Sequence, residues 1–116
     1  MPMSDCLFCK IRDGHIPAKI VHQDDRCLAF LDINAQAPLH ALIIPRRHIP
    51  TLLDLTPEDD ALVGHLHRVA IQLAREAGHA DTGFRTLFNC NQAAGQTVFH
   101  IHLHVLAGRP LGWPPG

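Results

Sequence analysis

Residues 100–106 read His100-Ile101-His102-Leu103-His104-Val105-Leu106, imidazole and aliphatic side chains in strict alternation. A period of two is a strand signal, because successive side chains of a strand point to opposite faces. His100, His102 and His104 are therefore expected on one face, with Phe99, Ile101, Leu103 and Val105 on the other, against a core. A merely solvated face would mix Lys, Glu, Thr and Ser; this one is purely imidazole. At roughly 3.3 Å per residue, His100 and His104 have Cα atoms about 13 Å apart. One tetrahedral metal, bonded to imidazole nitrogen at about 2.0–2.1 Å, does not easily take all three. A neighbouring His-x-His pair, about 6.6 Å apart at Cα, could chelate. The spacing favours several separate imidazole tasks over a three-ligand metal site, and an exposed His-rich strand is the blander reading.

Around this segment the remaining elements fall into place. Ser4-Asp5 can cap a short N-terminal helix running toward Asp13 and ended by Gly14. Residues 18–23 and 26–31 read as a hairpin about Asp24-Asp25, and 40–45 as a third strand. Thr56-Pro57-Glu58-Asp59 is the best helix start, with Thr56 as cap, Pro57 at the first helical position and acids at the positive end of the dipole. That helix should reach Ala77, with Gly78 beyond its end. Leu62, Leu66, Val69, Ala70, Leu73 and Ala77 mark its buried stripe, and His65 and His67 lie off it as surface residues. Residues 84–90 and 99–107 are the fourth and fifth strands. The simplest architecture is α+β: a five-stranded antiparallel sheet with a short N-terminal helix and one long helix, the helices over one face.

The 116 residues fit one compact domain, spanning 1–116, with 108–116 an irregular tail. A net charge of −1 gives no argument for nucleic acid or a membrane surface as partner. Charge is uneven, however. No acidic residue follows Asp81, whereas Arg85, Arg109 and the clustered histidines do, which suits an anionic ligand. The N-terminus lacks the basic region and apolar run of a signal peptide, and no apolar stretch nears the roughly 18 residues of a membrane span. A cytoplasmic location is expected, so the four cysteines should be reduced or metal-bound.

Two further stretches carry chemistry. Asn89-Cys90-Asn91-Gln92-Ala93-Ala94-Gly95-Gln96-Thr97 is rich in small residues, and such a turn can offer backbone amides to an anion. Directly before the histidine strand, it places anion donors beside imidazoles. Cys6-x-x-Cys9 suggests half a zinc knuckle or a redox motif; no βαβ pattern surrounds it, which argues against redox. Two reduced cysteines packed as small apolar groups is the alternative. Cys27 and Cys90 are isolated and read as buried and inert.

Gly95-Gln96-Thr97-Val98-Phe99-His100-Ile101-His102-Leu103-His104-Val105-Leu106 resembles the signature of the histidine triad superfamily. Other segments resemble its Hint branch of purine nucleoside phosphoramidases: Asp5-Cys6-Leu7-Phe8-Cys9-Lys10-Ile11, Ile16-Pro17-Ala18-Lys19-Ile20, Phe30-Leu31-Asp32-Ile33, Ala37-Pro38-Leu39-His40, Ile44-Pro45-Arg46-Arg47-His48 and Trp113-Pro114-Pro115-Gly116. The resemblance covers essentially the whole chain in order. Thr97 stands where many Hint proteins have Ser, which preserves the hydroxyl.

The resemblance implies a hydrolase that cleaves the P–N bond of purine nucleoside 5′-phosphoramidates through a nucleotidyl-histidine intermediate. Covalent catalysis splits one hard displacement into two easier ones. His102 would be the nucleophile, its Nδ1–H held by the carbonyl of His100, with His104 on the phosphate and leaving-group side and His40 completing the imidazole set. Asn89, Gly95 and Thr97 match positions that hold phosphate oxygens, and Asp32 matches the ribose-binding acid. Leu7, Phe8, Ile11, Phe30 and Ile33 match the purine cleft; by residue type alone each would be core. The chemistry needs no cofactor, but superfamily members with the cysteine pair imply a structural zinc on Cys6, Cys9, His48 and His100. Hint-like proteins are homodimers, implying a sheet continuous across the dimer and a tail whose Trp113 reaches the partner's site.

Three rivals follow from the same residues. A dinucleoside polyphosphate or other nucleotide hydrolase or transferase would use the same superfamily chemistry. A cupin-like metalloenzyme on His100 and His102 would need a further downstream ligand, and no Asp or Glu follows Asp81. A non-catalytic nucleotide-binding module would have no need of the middle imidazole.

Overall fold

The computed structural model describes residues 5–116. The apolar runs Cys27–Leu31 (β2) and Leu39–Pro45 (β3) form the middle of one antiparallel sheet. Flanking them are Ile20–Gln23 (β1), Phe84–Leu87 (β4) and Leu103–Ala107 (β5), in the order β1-β2-β3-β5-β4. The short helix α1 spans Leu7–Arg12 and the long helix α2 spans Asp60–Glu76. The expected α+β class, strand count and helix count are all found.

The helices do not share a face. Cys27, Ala29, Ala41, Ile43, Leu103 and Val105 point to one side and pack on Leu66, Val69, Ala70 and Leu73 of α2. The alternate residues Leu28, Phe30, Leu42 and Ile44 point to the other and pack on Cys6, Phe8 and Cys9 at α1. Strands that are apolar along both faces bury both, as β2 does and β3 does apart from His40, and a second layer must cover the second face. The helix α1 is that layer.

Several boundaries differ from the expected ones. The Ser4 cap lies outside the described residues; Cys6 occupies the N-cap, and its Sγ accepts from the Cys9 N–H at 3.4 Å. The helix start at Thr56 begins with a single 3₁₀ turn, Pro57–Asp59. There the Asp59 carboxylate accepts the Thr56 N–H at 2.9 Å. In the stripe of α2, Ala74 is buried in place of Ala77, which is exposed, and Leu62 is only half-buried. The fourth and fifth strands are shorter than read, ending at Leu87 and beginning at Leu103. The two truncations are one event, because Leu87 pairs with His104 and the ladder stops there. Beyond it the backbone bonds elsewhere: Ile101 N–H donates to Ile49 O at 2.8 Å. His100 and His102 therefore precede the strand, and the imidazoles do not form one uniform face. No helix of the described residues is long and apolar enough to cross a membrane.

Candidate active site

The hydrogen bonds of the four histidines fix where each ring carries its proton. His102 Nδ1 lies 2.8 Å from the His100 carbonyl, which can only accept, so Nδ1 is protonated and Nε2 holds a free lone pair. The edge of Phe8 meets this ring at 4.9 Å between centroids, 87° apart in plane, and blocks rotation. Burial lowers the His102 pKa, against a smaller opposing pull from the His100 carbonyl and Asp32. The ring is thus neutral near pH 7, as a nucleophile must be.

His104 has the opposite tautomer. The backbone N–H of Gln36 donates to His40 Nδ1 at 3.0 Å, so the His40 proton sits on Nε2. That Nε2–H donates to His104 Nδ1 at 2.9 Å, which leaves the His104 proton on its own Nε2. Among the described residues, His104 Nε2 is a buried side-chain nitrogen with no hydrogen-bond partner. A buried orphan donor costs of order 1–3 kcal/mol unless a ligand accepts from it. Burial, then the neighbouring His102 and His40, push His104 down to about 4, and burial lowers His40 as well. Asp32 Oδ2 lies 3.5 Å from His40 Nε2.

Both rings open on one pocket of about 310 Å³ between α1, the segment before β1, the end of β2 and the loop before β5. Leu7, Phe8, Ile11, Phe30, Asp32, Ile33, Asn89, Gly95, Thr97, His102 and His104 all line it. Ligand pockets are of this size and are mostly apolar with few convergent polar groups. His40 lies behind His104, and the fully buried His100 lies behind His102. Trp113 does not line the pocket: it is 84% exposed, on a tail held where Arg85 donates to Gly112 O at 2.9 Å.

The loop before β5 owes its shape to a residue that the sequence reading passed over. Gln96 is 5% exposed; its Oε1 accepts the Asn91 N–H at 2.8 Å, and its Nε2 donates to Pro50 O and Val98 O at 2.8 and 3.1 Å. Asn91 and Gly95 sit at φ +67° and +94°, the latter closing the 3₁₀ turn Gln92–Ala94. A non-glycine residue at positive φ persists only where its surroundings enforce it, and clusters at functional sites. Ile16, Pro17, Ala18, Leu31, Leu42 and Val98 also line the pocket without having been read as binding residues. The apolar Ile16-Pro17-Ala18 run before a strand was the available signal.

Beneath the pocket, His100 turns its other nitrogen to the cysteines. Its Nε2–H donates to Pro45 O at 2.7 Å, so Nδ1 carries a lone pair. Cys6 Sγ and Cys9 Sγ lie 3.4 and 3.5 Å from that atom, His48 Nδ1 lies 3.3 Å from it, and Cys9 Sγ lies 3.4 Å from His48 Nδ1. Around a tetrahedral zinc, bond lengths of about 2.3 Å to sulfur and 2.0–2.1 Å to nitrogen put N and S about 3.5 Å apart and two nitrogens about 3.3 Å apart. The donors fit a closed Cys₂His₂ sphere. Burial, with Cys6 alongside, pushes the Cys9 thiol up to about 11.

Other single-residue expectations need correction. His65 and His67 are half-buried, because the flanks of α2 pack on the β1–β2 turn and on Phe88: His65 Nε2 lies 2.7 Å from Asp24 Oδ2, and His67 meets Phe88 edge-on. Cys27 is fully buried but not isolated, with its Sγ 3.5 Å from Asp24. Cys90 is only half-buried, since the strand expected to bury it ends before it.

Fold and site together define a class: a small antiparallel α+β domain whose central sheet aims neutral imidazoles into an apolar pocket. Known proteins place it more narrowly. The family model described as the HIT domain matches residues 13–111. An uncharacterized HIT-like protein of Synechocystis is 53% identical over 112 residues, 97% of each chain. The crystal structure of a HIT family hydrolase from Legionella pneumophila superposes with a TM-score of 0.95 at 49% identity, covering 97% of this chain and 100% of that one. A histidine triad protein from Clostridium difficile gives 0.92 at 45% identity, covering 97% of each. The chain belongs to the HIT domain family, as its resemblance to the histidine triad superfamily led us to expect.

Proposed function

We propose that this protein is a Hint-branch hydrolase that cleaves the P–N bond of purine nucleoside 5′-phosphoramidates, releasing a nucleoside monophosphate and an amine. The observation that carries this reading is the pair of opposed tautomers: a lone pair on His102 Nε2 and an unpartnered N–H on His104 Nε2, both at one pocket. A pure binder gains nothing from an imidazole held with its lone pair free. The similarity to the HIT family hydrolase of Legionella supports the same direction.

In the proposed reaction His102 Nε2 forms a bond to the α-phosphorus as the P–N bond breaks. An amine is a poor leaving group unless its nitrogen is protonated. A proton from solvent passes to that nitrogen at the pocket mouth as the P–N bond breaks, so it leaves as the neutral amine, and His104 Nε2–H donates a hydrogen bond to the departing side. A water then attacks phosphorus as the bond to His102 Nε2 breaks, giving one proton back to solvent and regenerating neutral His102. Asn89, the Gly95 backbone and Thr97 hold the phosphoryl oxygens; removing one such donor typically costs about a hundredfold or more in rate. Asp32 accepts the ribose hydroxyls, and Phe8, Ile11, Phe30 and Ile33 take the purine. A zinc held by Cys6, Cys9, His48 and His100 would have no open position, so its contribution would be structural. We further propose a cytoplasmic homodimer, formed through the open edge of β4, in which each Trp113 borders the partner's leaving-group side.

The His102→Gly variant tests this reading. Turnover of an adenosine 5′-phosphoramidate is expected to disappear while AMP binding by calorimetry is largely kept. Unchanged turnover in that variant would refute the mechanism.

A further inference from the structure

On the α2 side of the sheet, away from the pocket, four metal-ligating side chains converge from different elements. Asp24 lies in the β1–β2 turn, His22 on β1, Cys27 at the start of β2 and His65 on α2. His22 Nε2 and His65 Nε2 lie 2.8 and 2.7 Å from the same oxygen, Asp24 Oδ2, and Cys27 Sγ lies 3.5 Å from it. All four donor atoms are within 4.8 Å of one another. The other carboxylate oxygen is fixed by the N–H groups of Arg26 and Cys27 at 2.8 and 2.9 Å. Burial opposes ionisation of Asp24, but these N–H groups and the two imidazoles outweigh it and hold the carboxyl well below the usual range.

We propose that His22, Asp24, Cys27 and His65 form a second, exchangeable site for a borderline divalent transition-metal ion such as Zn²⁺ or Co²⁺, distinct from the Cys₂His₂ cluster. Two nitrogens, one sulfur and one carboxylate oxygen suit such ions and disfavour Mg²⁺ or Ca²⁺, which require oxygen. Charge balances: one carboxylate and one thiolate neutralise the dication, as a half-buried position requires. The ion–sulfur bond replaces the S–H bond, and that single proton passes to buffer. Each imidazole then binds the ion through Nε2 and carries its remaining proton on Nδ1.

The present contacts also set the strength of the site. Spacings of 2.7–2.8 Å are those of hydrogen bonds, whereas tetrahedral ligands stand about 3.3 Å apart, so the side chains must open by about half an ångström. Arg26 donates to His65 Nδ1 at 3.1 Å, which holds the proton on Nε2 and competes with the ion. Arg26 is exposed and can swing away, at a cost in affinity. This site should therefore bind more weakly than the cysteine-pair cluster and release its ion to a mild chelator.

The inference stands independently of the proposed hydrolase activity. Protein treated with a mild chelator, which leaves zinc on the cysteine-pair cluster and strips the weaker site, is titrated with Co²⁺, and bound cobalt is read by elemental analysis and by the thiolate-to-cobalt charge-transfer band. One added equivalent per chain is expected, with proton release on binding measured by calorimetry in buffers of different ionisation enthalpy. His22→Phe and Cys27→Ala should each lose that equivalent while keeping a folded circular-dichroism spectrum. Arg26→Ala should tighten it by about tenfold, the worth of one competing charged hydrogen bond. Absence of a further equivalent, or cobalt uptake that His22→Phe and Cys27→Ala leave intact, would overturn the proposal.

Discussion

His102 and His104 face one pocket with ring protons on opposite nitrogens, and the difference comes from what stands behind each ring. A carbonyl behind His102 accepts a hydrogen bond from its Nδ1–H; a histidine behind His104 donates one to its Nδ1. The resemblance implied the His100 carbonyl behind His102 and a place for His40, but not the Gln36 N–H that fixes the His40 tautomer and, through it, that of His104. Gln96 is similar: nothing local distinguishes it from any loop glutamine, yet it bonds three backbone groups. Replacing it by Leu leaves buried polar groups unpaired, at about 1–3 kcal/mol each. The Gln96→Leu variant is expected to fold with lowered stability and to lose at least tenfold in kcat/KM, read by denaturant unfolding and steady-state kinetics. Full activity at wild-type stability would remove Gln96 from the framework of the phosphate loop.

At the scale of elements, hydropathy made β2, β3 and α2 legible because each is long, apolar and periodic. It failed at the ends of β4 and β5, where the chain leaves the ladder to build the pocket and the side chain of His100 takes the Pro45 carbonyl. It also failed for α1, whose six residues show no stripe. That helix is tied down through Cys6 and Cys9, and two cysteines at its start carried more information than its periodicity. We expect about one zinc per chain in protein purified without chelator, lost in Cys9→Ala together with a lower melting temperature. Metal-free protein of undiminished stability would retire the zinc reading.

Across the whole molecule, α1 and α2 cover opposite faces of one sheet, one layer holding the pocket and the other the larger core. Burying imidazoles in the first layer couples stability to pH. The folded His104 pKa, about 4, lies below the roughly 6.5 of an unfolded histidine, so the unfolded chain binds more protons between these values. Stability is fully present above about pH 6.5 and falls as pH drops toward about 4, with His40 acting in the same direction. Denaturant midpoints should fall across this window, and less steeply in His104→Asn. An equal slope in that variant would show that His104 is not held neutral by the fold.

Every step of the proposed reaction depends on a covalent bond from His102 Nε2 to phosphorus. Rapid mixing with a fluorogenic adenosine phosphoramidate, followed by acid-free quench and mass spectrometry, reads it directly. A burst of amine and a nucleotidyl adduct on the peptide carrying His102 are predicted. Steady turnover with no adduct, or an adduct on His104 or His40 instead, would contradict the account.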